Sequence, residues 1–167
     1  KIKLNTFYLK NKIKSFIEEK NFNIDIEIIE DGNEILDTGG GILNMMKAST
    51  ESESNFLVLN SDTLWGKNYT QTINEMINFH FSNLNNNTLL VVDKNLSFDK
   101  NLNGDFSLDN NKIIKNLENN YIFTGCQIIN KKAINKNFLE PSYNFSILKI
   151  WNNLIQKKIL FGYESKN

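Results

Sequence analysis

The chain has 167 residues, 40% of them hydrophobic, and no formal net charge; that size and content suit one compact domain with a sizeable core. Balanced charge gives no field that would draw in nucleic acid or an anionic membrane. No apolar run approaches the roughly 18–20 residues of a membrane span, and no signal-peptide pattern opens the chain.

The elements read off in chain order. Residues 1–8 alternate in character, with Ile2, Leu4 and Phe7 as the apolar set of a strand. Residues 9–20 place Leu9, Ile13, Phe16 and Ile17 on one helical face. Residues 23–30 are a second strand (Ile24, Ile26 and Ile28 alternate, then Ile29). After the run Thr38-Gly39-Gly40-Gly41, residues 42–48 read as a short helix, and residues 56–60 as a central strand. Residues 69–83 are amphipathic, with Ile73, Met76, Ile77 and His80 at i, i+3, i+4 and i+7. Residues 88–92 form a further strand. The segments 105–108 and 112–115 flank Asp109-Asn110-Asn111, a hairpin turn. Residues 121–130 are a long strand, 146–157 a helix and 159–163 a final strand, and the asparagine-rich 83–87 is a loop. Strands alternating with helices predict an α/β fold with a mostly parallel, doubly wound, Rossmann-like sheet and a small antiparallel hairpin insertion at 105–115.

The sharpest chemical feature is Asn55-Phe56-Leu57-Val58-Leu59-Asn60-Ser61-Asp62. A short apolar run ends in a polar tip with one carboxylate, and open α/β sheets bind ligands at the carboxyl ends of their strands. Magnesium suits one or two carboxylates plus substrate phosphate oxygens, so Asp62 reads either as a metal ligand or as the cap of a turn over residues 63–66. The glycines of 39–41 let backbone N–H groups face a phosphate or a base edge, with the helix dipole behind them; the other reading is a strand–helix turn. Gly125, inside the apolar strand Tyr121-Ile122-Phe123-Thr124-Gly125-Cys126, marks either the close approach of a ligand or a β-bulge, and Thr124 beside it can hydrogen-bond a sugar hydroxyl.

Other residues read as packing. His80 sits on the apolar face of its helix with no second ligand near, Met45 and Met46 line a core or pocket, and Trp65 either covers the Asp62 site or packs under its loop. Cys126, the single cysteine, excludes an internal disulfide, fits a reducing cytoplasm and reads as a small buried hydrophobe. All nineteen residues of the Lys and Arg class are lysine. With no bidentate arginine clamp, a phosphate site here must rely on backbone amides, lysines or a metal.

Taken in order, Glu34-Ile35-Leu36-Asp37-Thr38-Gly39-Gly40-Gly41-Ile42, then Phe56-Leu57-Val58-Leu59-Asn60-Ser61-Asp62-Thr63-Leu64-Trp65, then Tyr121-Ile122-Phe123-Thr124-Gly125 resemble the sugar-1-phosphate nucleotidyltransferase family. The likeness is greatest to its N-acetylmuramate-1-phosphate uridylyltransferase and mannose-1-phosphate guanylyltransferase branch. Asn5-Thr6 resembles the family's strand-end Asn-Thr, and Phe145-Ser146-Ile147-Leu148 its Phe-Ser-Leu helix start. The resemblance implies the nucleotide-diphospho-sugar transferase fold in a cytoplasmic enzyme. It implies UTP or GTP and a sugar-1-phosphate as partners, and Mg²⁺ as cofactor. Thr38, Gly39, Gly40, Gly41 and Asn60 would bind the nucleotide, with Gly39 and Gly40 against base and ribose. Asp62 would hold the metal and serve catalysis, and Thr124 and Gly125 would contact the sugar.

Two family segments have no counterpart in the sequence: an N-terminal Gly-rich loop with an arginine, which binds the triphosphate, and a Val-Gly-Thr-like segment after the last strand. The expectation is therefore a single but incomplete nucleotidyltransferase domain over residues 1–167. Two alternatives compete. A glycosyltransferase using a nucleotide sugar is the first, although such enzymes often pair two acids where this chain has Ser61-Asp62-Thr63. The second is a non-catalytic remnant that keeps the sheet as a binding module.

Overall fold

The computed structural model describes residues 1–83, 87–132 and 144–166, which hold eight strands and four α-helices. They divide into two units: Lys1–Glu53 with the described part of Ile134–Ile150, and the described parts of Ser54–Ala133 and Trp151–Asn167.

In the first unit β1 (Ile2–Thr6) and β2 (Ile26–Glu30) pair in parallel, Ile2 opposite Ile26 and Thr6 opposite Glu30. A parallel pair needs a crossover, supplied by α1 (Lys10–Lys20). The stripe expected to bury α1 does so only in part. Ile13 and Ile17 are half-buried while Leu9 and Phe16 stay exposed, because a two-stranded sheet is too narrow to cover a whole helical face.

The second helix, α2 (Asp37–Lys47), corrects the expectation for residues 42–48: it starts at Asp37 and takes the three glycines into its first turns. Each helical glycine costs roughly 1 kcal/mol against alanine, so tertiary contacts must require them. A Cβ on Gly39 would lie 2.5 Å from the Phe145 ring and 2.8 Å from the Phe145 carbonyl, and one on Gly41 would lie 2.8 Å from Asn5 Nδ2.

The second unit is a six-stranded sheet in the order β3-β7-β4-β8-β6-β5, built from β3 (Asn55–Leu59), β4 (Asn87–Asp93), β5 (Ser107–Asp109), β6 (Lys112–Ile114), β7 (Tyr121–Asn130) and β8 (Phe161–Ser165). As expected, the fold is mixed α/β with most strands running one way. β4 and β8 are parallel, and β7 lies antiparallel between β3 and β4, so β3, β4 and β8 share a direction. The predicted hairpin is β5–β6, with Asn110 and Asn111 at φ +47° and +62°. Asparagine tolerates that left-handed pair better than most residues, which explains the two in succession. Residues 56–60, expected in the middle of the sheet, form β3 at one end of this order. Of the predicted 83–87 loop, Asn87 opens β4 and 84–86 lie outside the described residues.

Helices cover both faces of β7, whose side chains alternate. Cys126 and Ile128 pack with Met76 of α3 (Tyr69–Ser82) and with Leu90. On the other face, the Trp151 indole of α4 (Leu148–Gln156) donates to Gln127 Oε1 at 3.0 Å, and its ring meets Phe123 and Phe106 edge-on.

Candidate functional site

The strand β3 delivers the chain to the loop Asn60–Trp65, and three ties hold that loop. The Asn60 N–H donates to the Gly125 carbonyl at 2.8 Å, continuing the β3–β7 ladder one residue beyond the strand. The Trp65 indole donates to the Asn60 carbonyl at 3.3 Å, and the Thr63 hydroxyl reaches the Thr124 carbonyl at 3.5 Å. Trp65 is itself seated edge-on against Tyr69, with 5.4 Å between ring centroids. The Asp62 carboxylate stands exposed at the crest of the loop. Among the described residues no hydrogen bond or ion pair engages it, so it does not cap the turn over 63–66. Nor do three His, Cys, Asp or Glu side chains come together there as a ready-made metal cluster. A single uncommitted carboxylate at a strand end fits magnesium, which keeps waters and substrate oxygens in most of its coordination positions.

Gly125 lies in a bulge. Leu89 pairs with Gln127 and Val91 with Phe123, so β7 spends two extra residues opposite Leu90. The Thr124 hydroxyl donates to the Leu90 carbonyl at 3.0 Å inside this irregularity, which leaves its oxygen lone pairs for any other partner. Gly125 takes φ +89°, a left-handed value that only glycine adopts without strain. Burial pushes the neighbouring Cys126 thiol up to about 12, so it stays protonated and inert.

Thr38 and the three glycines belong to the first unit. The amides of the first turn of α2 are already engaged: Thr38 N–H donates to its neighbour Asp37 Oδ1 at 2.5 Å, and the Gly39 and Gly40 N–H groups share the Phe145 carbonyl at 2.9 and 3.1 Å. The Thr38 hydroxyl accepts from the Ile147 N–H at 3.0 Å. The glycines thus give close approach, and the group approaching is the turn at Phe145. Beside them lies a polar cluster that sequence reasoning passed over. Asp31 accepts from the Asn5 amide at 2.8 Å and the Asn44 amide at 3.1 Å. The strand-end Asn5 was visible in the sequence, but the aspartate completing the cluster follows a second strand with no motif around it. Thr63 was likewise invisible, because its role is a contact with Thr124, 61 positions away.

His80, read as a packing histidine, is buried, with Nδ1 2.9 Å from Thr88 Oγ1 and Nε2 3.4 Å from Asn55 Oδ1.

No protein-family model matches the sequence, and no curated protein does. Solved structures do. HddC from Yersinia pseudotuberculosis superposes with a TM-score of 0.72 at 23% identity, over 99% of this chain and 69% of that one. A Bacillus anthracis protein assigned as a glucose-1-phosphate thymidylyltransferase, solved with sucrose, gives 0.72 at 15% identity, over 99% and 68%. The inositol-1-phosphate CTP transferase from T. maritima gives 0.71 at 14%, over 96% and 64%. The chain has their fold. It spans about two thirds of their length, 64–69%.

Proposed function

We propose that this chain is a single, incomplete nucleotidyltransferase domain that binds a nucleoside triphosphate with Mg²⁺ and serves transfer of the nucleotidyl group to a sugar-1-phosphate, UTP or GTP being the donor. The observation that carries the reading is Asp62: an exposed, uncommitted carboxylate at the end of β3, on a loop tied down by Asn60, Thr63 and Trp65, in a fold shared with structures named for sugar- and inositol-phosphate nucleotidyl transfer.

In the reaction a phosphate oxygen of the sugar-1-phosphate attacks the α-phosphorus of the triphosphate, a new P–O bond forms, and pyrophosphate leaves. Such chemistry asks the protein mainly for positioning and charge neutralisation. Asp62 holds the metal, which when bound offsets negative charge on the two phosphate groups. Asn60 and the segment Thr38–Gly41 receive the nucleotide; with the Gly39 and Gly40 amides engaged by Phe145, the glycines do not serve as an amide cradle for phosphate. Thr124, through its free lone pairs, and Gly125 line the sugar side. The setting is a reducing cytoplasm, as a single buried thiol suggests.

Calorimetric titration with UTP and GTP, each with and without Mg²⁺, tests this. The expected result is saturable binding of one nucleotide that requires Mg²⁺ and is lost in Asp62→Asn while the far-ultraviolet circular dichroism is unchanged. Mg²⁺-dependent affinity that survives Asp62→Asn would remove the assignment.

A further inference from the structure

We infer that Gly125 is a positioning residue for the Asp62 carboxylate: the notch left by its missing Cβ receives Thr63, and that fit sets the loop carrying the carboxylate. The inference rests on the reading of Asp62 as the metal ligand.

Nothing among the described residues grips Asp62 itself, so its place is decided by the residues that flank it in the loop. Both flanks meet at Gly125. A Cβ there would stand 2.7 Å from Thr63 Oγ1, closer than real Cβ contacts come, and 3.1 Å from Asn60 Cβ, tighter than most of them, so a side chain would press hard on Thr63 and lightly on Asn60, on the two sides of Asp62. The Asn60 N–H is fastened to the Gly125 carbonyl at 2.8 Å and cannot retreat without breaking that bond. Thr63 is the side that would give. Its hydrogen bond to the Thr124 carbonyl is 3.5 Å, at the long limit for such a bond. The seat of Thr63 therefore owes more to its shape against Gly125 than to the bond. The left-handed φ of +89° at Gly125 excludes ordinary side chains a second time.

The test is calorimetric titration of the chain with UTP and with GTP, each with and without Mn²⁺, since a single carboxylate needs the phosphate oxygens to complete a metal site. With Mn²⁺ the unaltered chain binds one nucleotide saturably and Asp62→Asn does not. Gly125→Ala weakens binding by about tenfold or more, as loss of a group that orients a metal ligand does. Adding Thr63→Ala to Gly125→Ala restores part of the loss, the non-additivity expected of residues in contact. Thr63→Ser, which keeps the oxygen, binds like the unaltered chain. Unaltered affinity in a folded Gly125→Ala, with binding still lost in Asp62→Asn, overturns the positioning role and leaves the metal reading standing. If Gly125→Ala does not fold, Thr63→Ala alone decides: weakened affinity upholds the role and unchanged affinity overturns it. Mn²⁺-dependent nucleotide binding that survives Asp62→Asn, or is absent from the unaltered chain, removes the metal site and this inference with it.

Discussion

The two units bury their strands very differently. In the second, β4 keeps five consecutive residues, Asn87 to Val91, out of contact with water. In the first, β1 and β2 together bury only Thr6. β1 and β2 alternate apolar residues with Lys3, Asn5, Glu27 and Glu30, whereas β4 runs unbroken from Leu89 to Val92, so pattern and width together explain the contrast. Among the described residues β4 has β7 and β8 on its two edges, while β1 and β2 pair only with each other. A two-stranded sheet alone is marginal in water, and in the first unit polar side-chain pairs add to the apolar burial around α2. Asp31 gathers Asn5 and Asn44, and Lys1, Lys3 and Lys10 pair with Glu27 and Glu30 at 2.9, 3.5 and 2.7 Å. Exposed ion pairs of this kind contribute little each, because solvent screens them. The unit carrying Asp62 thus buries its central strands in an apolar core, whereas the unit carrying the glycines buries Ile42, Leu43, Met46 and Phe145 around α2 and leaves its two strands to polar pairs.

The strongest blow to this contrast, or support for it, is a matched pair of truncations. Leu90→Ala removes a side chain that is 0% exposed and should cost about 2–5 kcal/mol, transfer and cavity together. Ile28→Ala, on half-buried β2, loses less apolar burial and should cost about 1–2 kcal/mol. Both tryptophans, Trp65 and Trp151, lie in the second unit, so urea unfolding followed by their fluorescence reads Leu90→Ala. Amide exchange within β1 and β2 reads Ile28→Ala. Equal losses would mean that the first unit is as well packed as the second.

Gly39→Ala sharpens the account of the first unit by a change of sign. In an ordinary helix the substitution gains roughly 1 kcal/mol. Here the new methyl meets the Phe145 carbonyl at 2.8 Å, and that carbonyl is pinned by the Gly39 and Gly40 amides. Overpacking of this sort costs about 1–3 kcal/mol, so the net outcome is a loss, visible as faster amide exchange along Asp37–Lys47. A gain in protection there would show that the Phe145 turn yields freely and that the glycines serve something else.

How far the sequence was legible follows the same division. The long strand at 121–130, the helix at 69–83 and the Asn-Asn hairpin were readable because period, length and turn chemistry are local signals. The antiparallel course of β7 and the edge position of β3 were not, since alternation reports which residues face inward and carries no direction or order. Asp62 was legible because a carboxylate closing an apolar run is locally anomalous. The partners that shape the two places were illegible: Phe145 lies more than a hundred residues from the glycines it packs against, and Thr63 meets Gly125 across the sheet. The glycine run itself signalled close approach correctly while leaving unstated what approaches.

The smallest expected effect separates the units by acidity. Burial lowers the pKa of His80 from the ordinary 6.5, and the groups at its ring, Thr88 and Asn55, are neutral, so nothing there repays a positive charge. A histidine that is harder to protonate when folded contributes stability in full above pH 6.5, and loses it as pH falls from there through the lowered folded value. The first unit titrates later. Glu27 and Glu30 are held below the ordinary 4.5 by hydrogen bonds from Lys1 and Lys10, and Glu53 by the Thr50 backbone amide. Their contributions persist above pH 4.5 and fade only below it. Urea midpoints from tryptophan fluorescence should therefore begin to drop just below pH 6.5, and His80→Gln should flatten that first drop. The exchange-derived stability of β1 and β2 should hold until about pH 4.5. A second unit whose midpoint is level between pH 7 and 5 would show that the His80 ring finds a compensating partner on protonation, and that unit would then be no more acid-sensitive than the first.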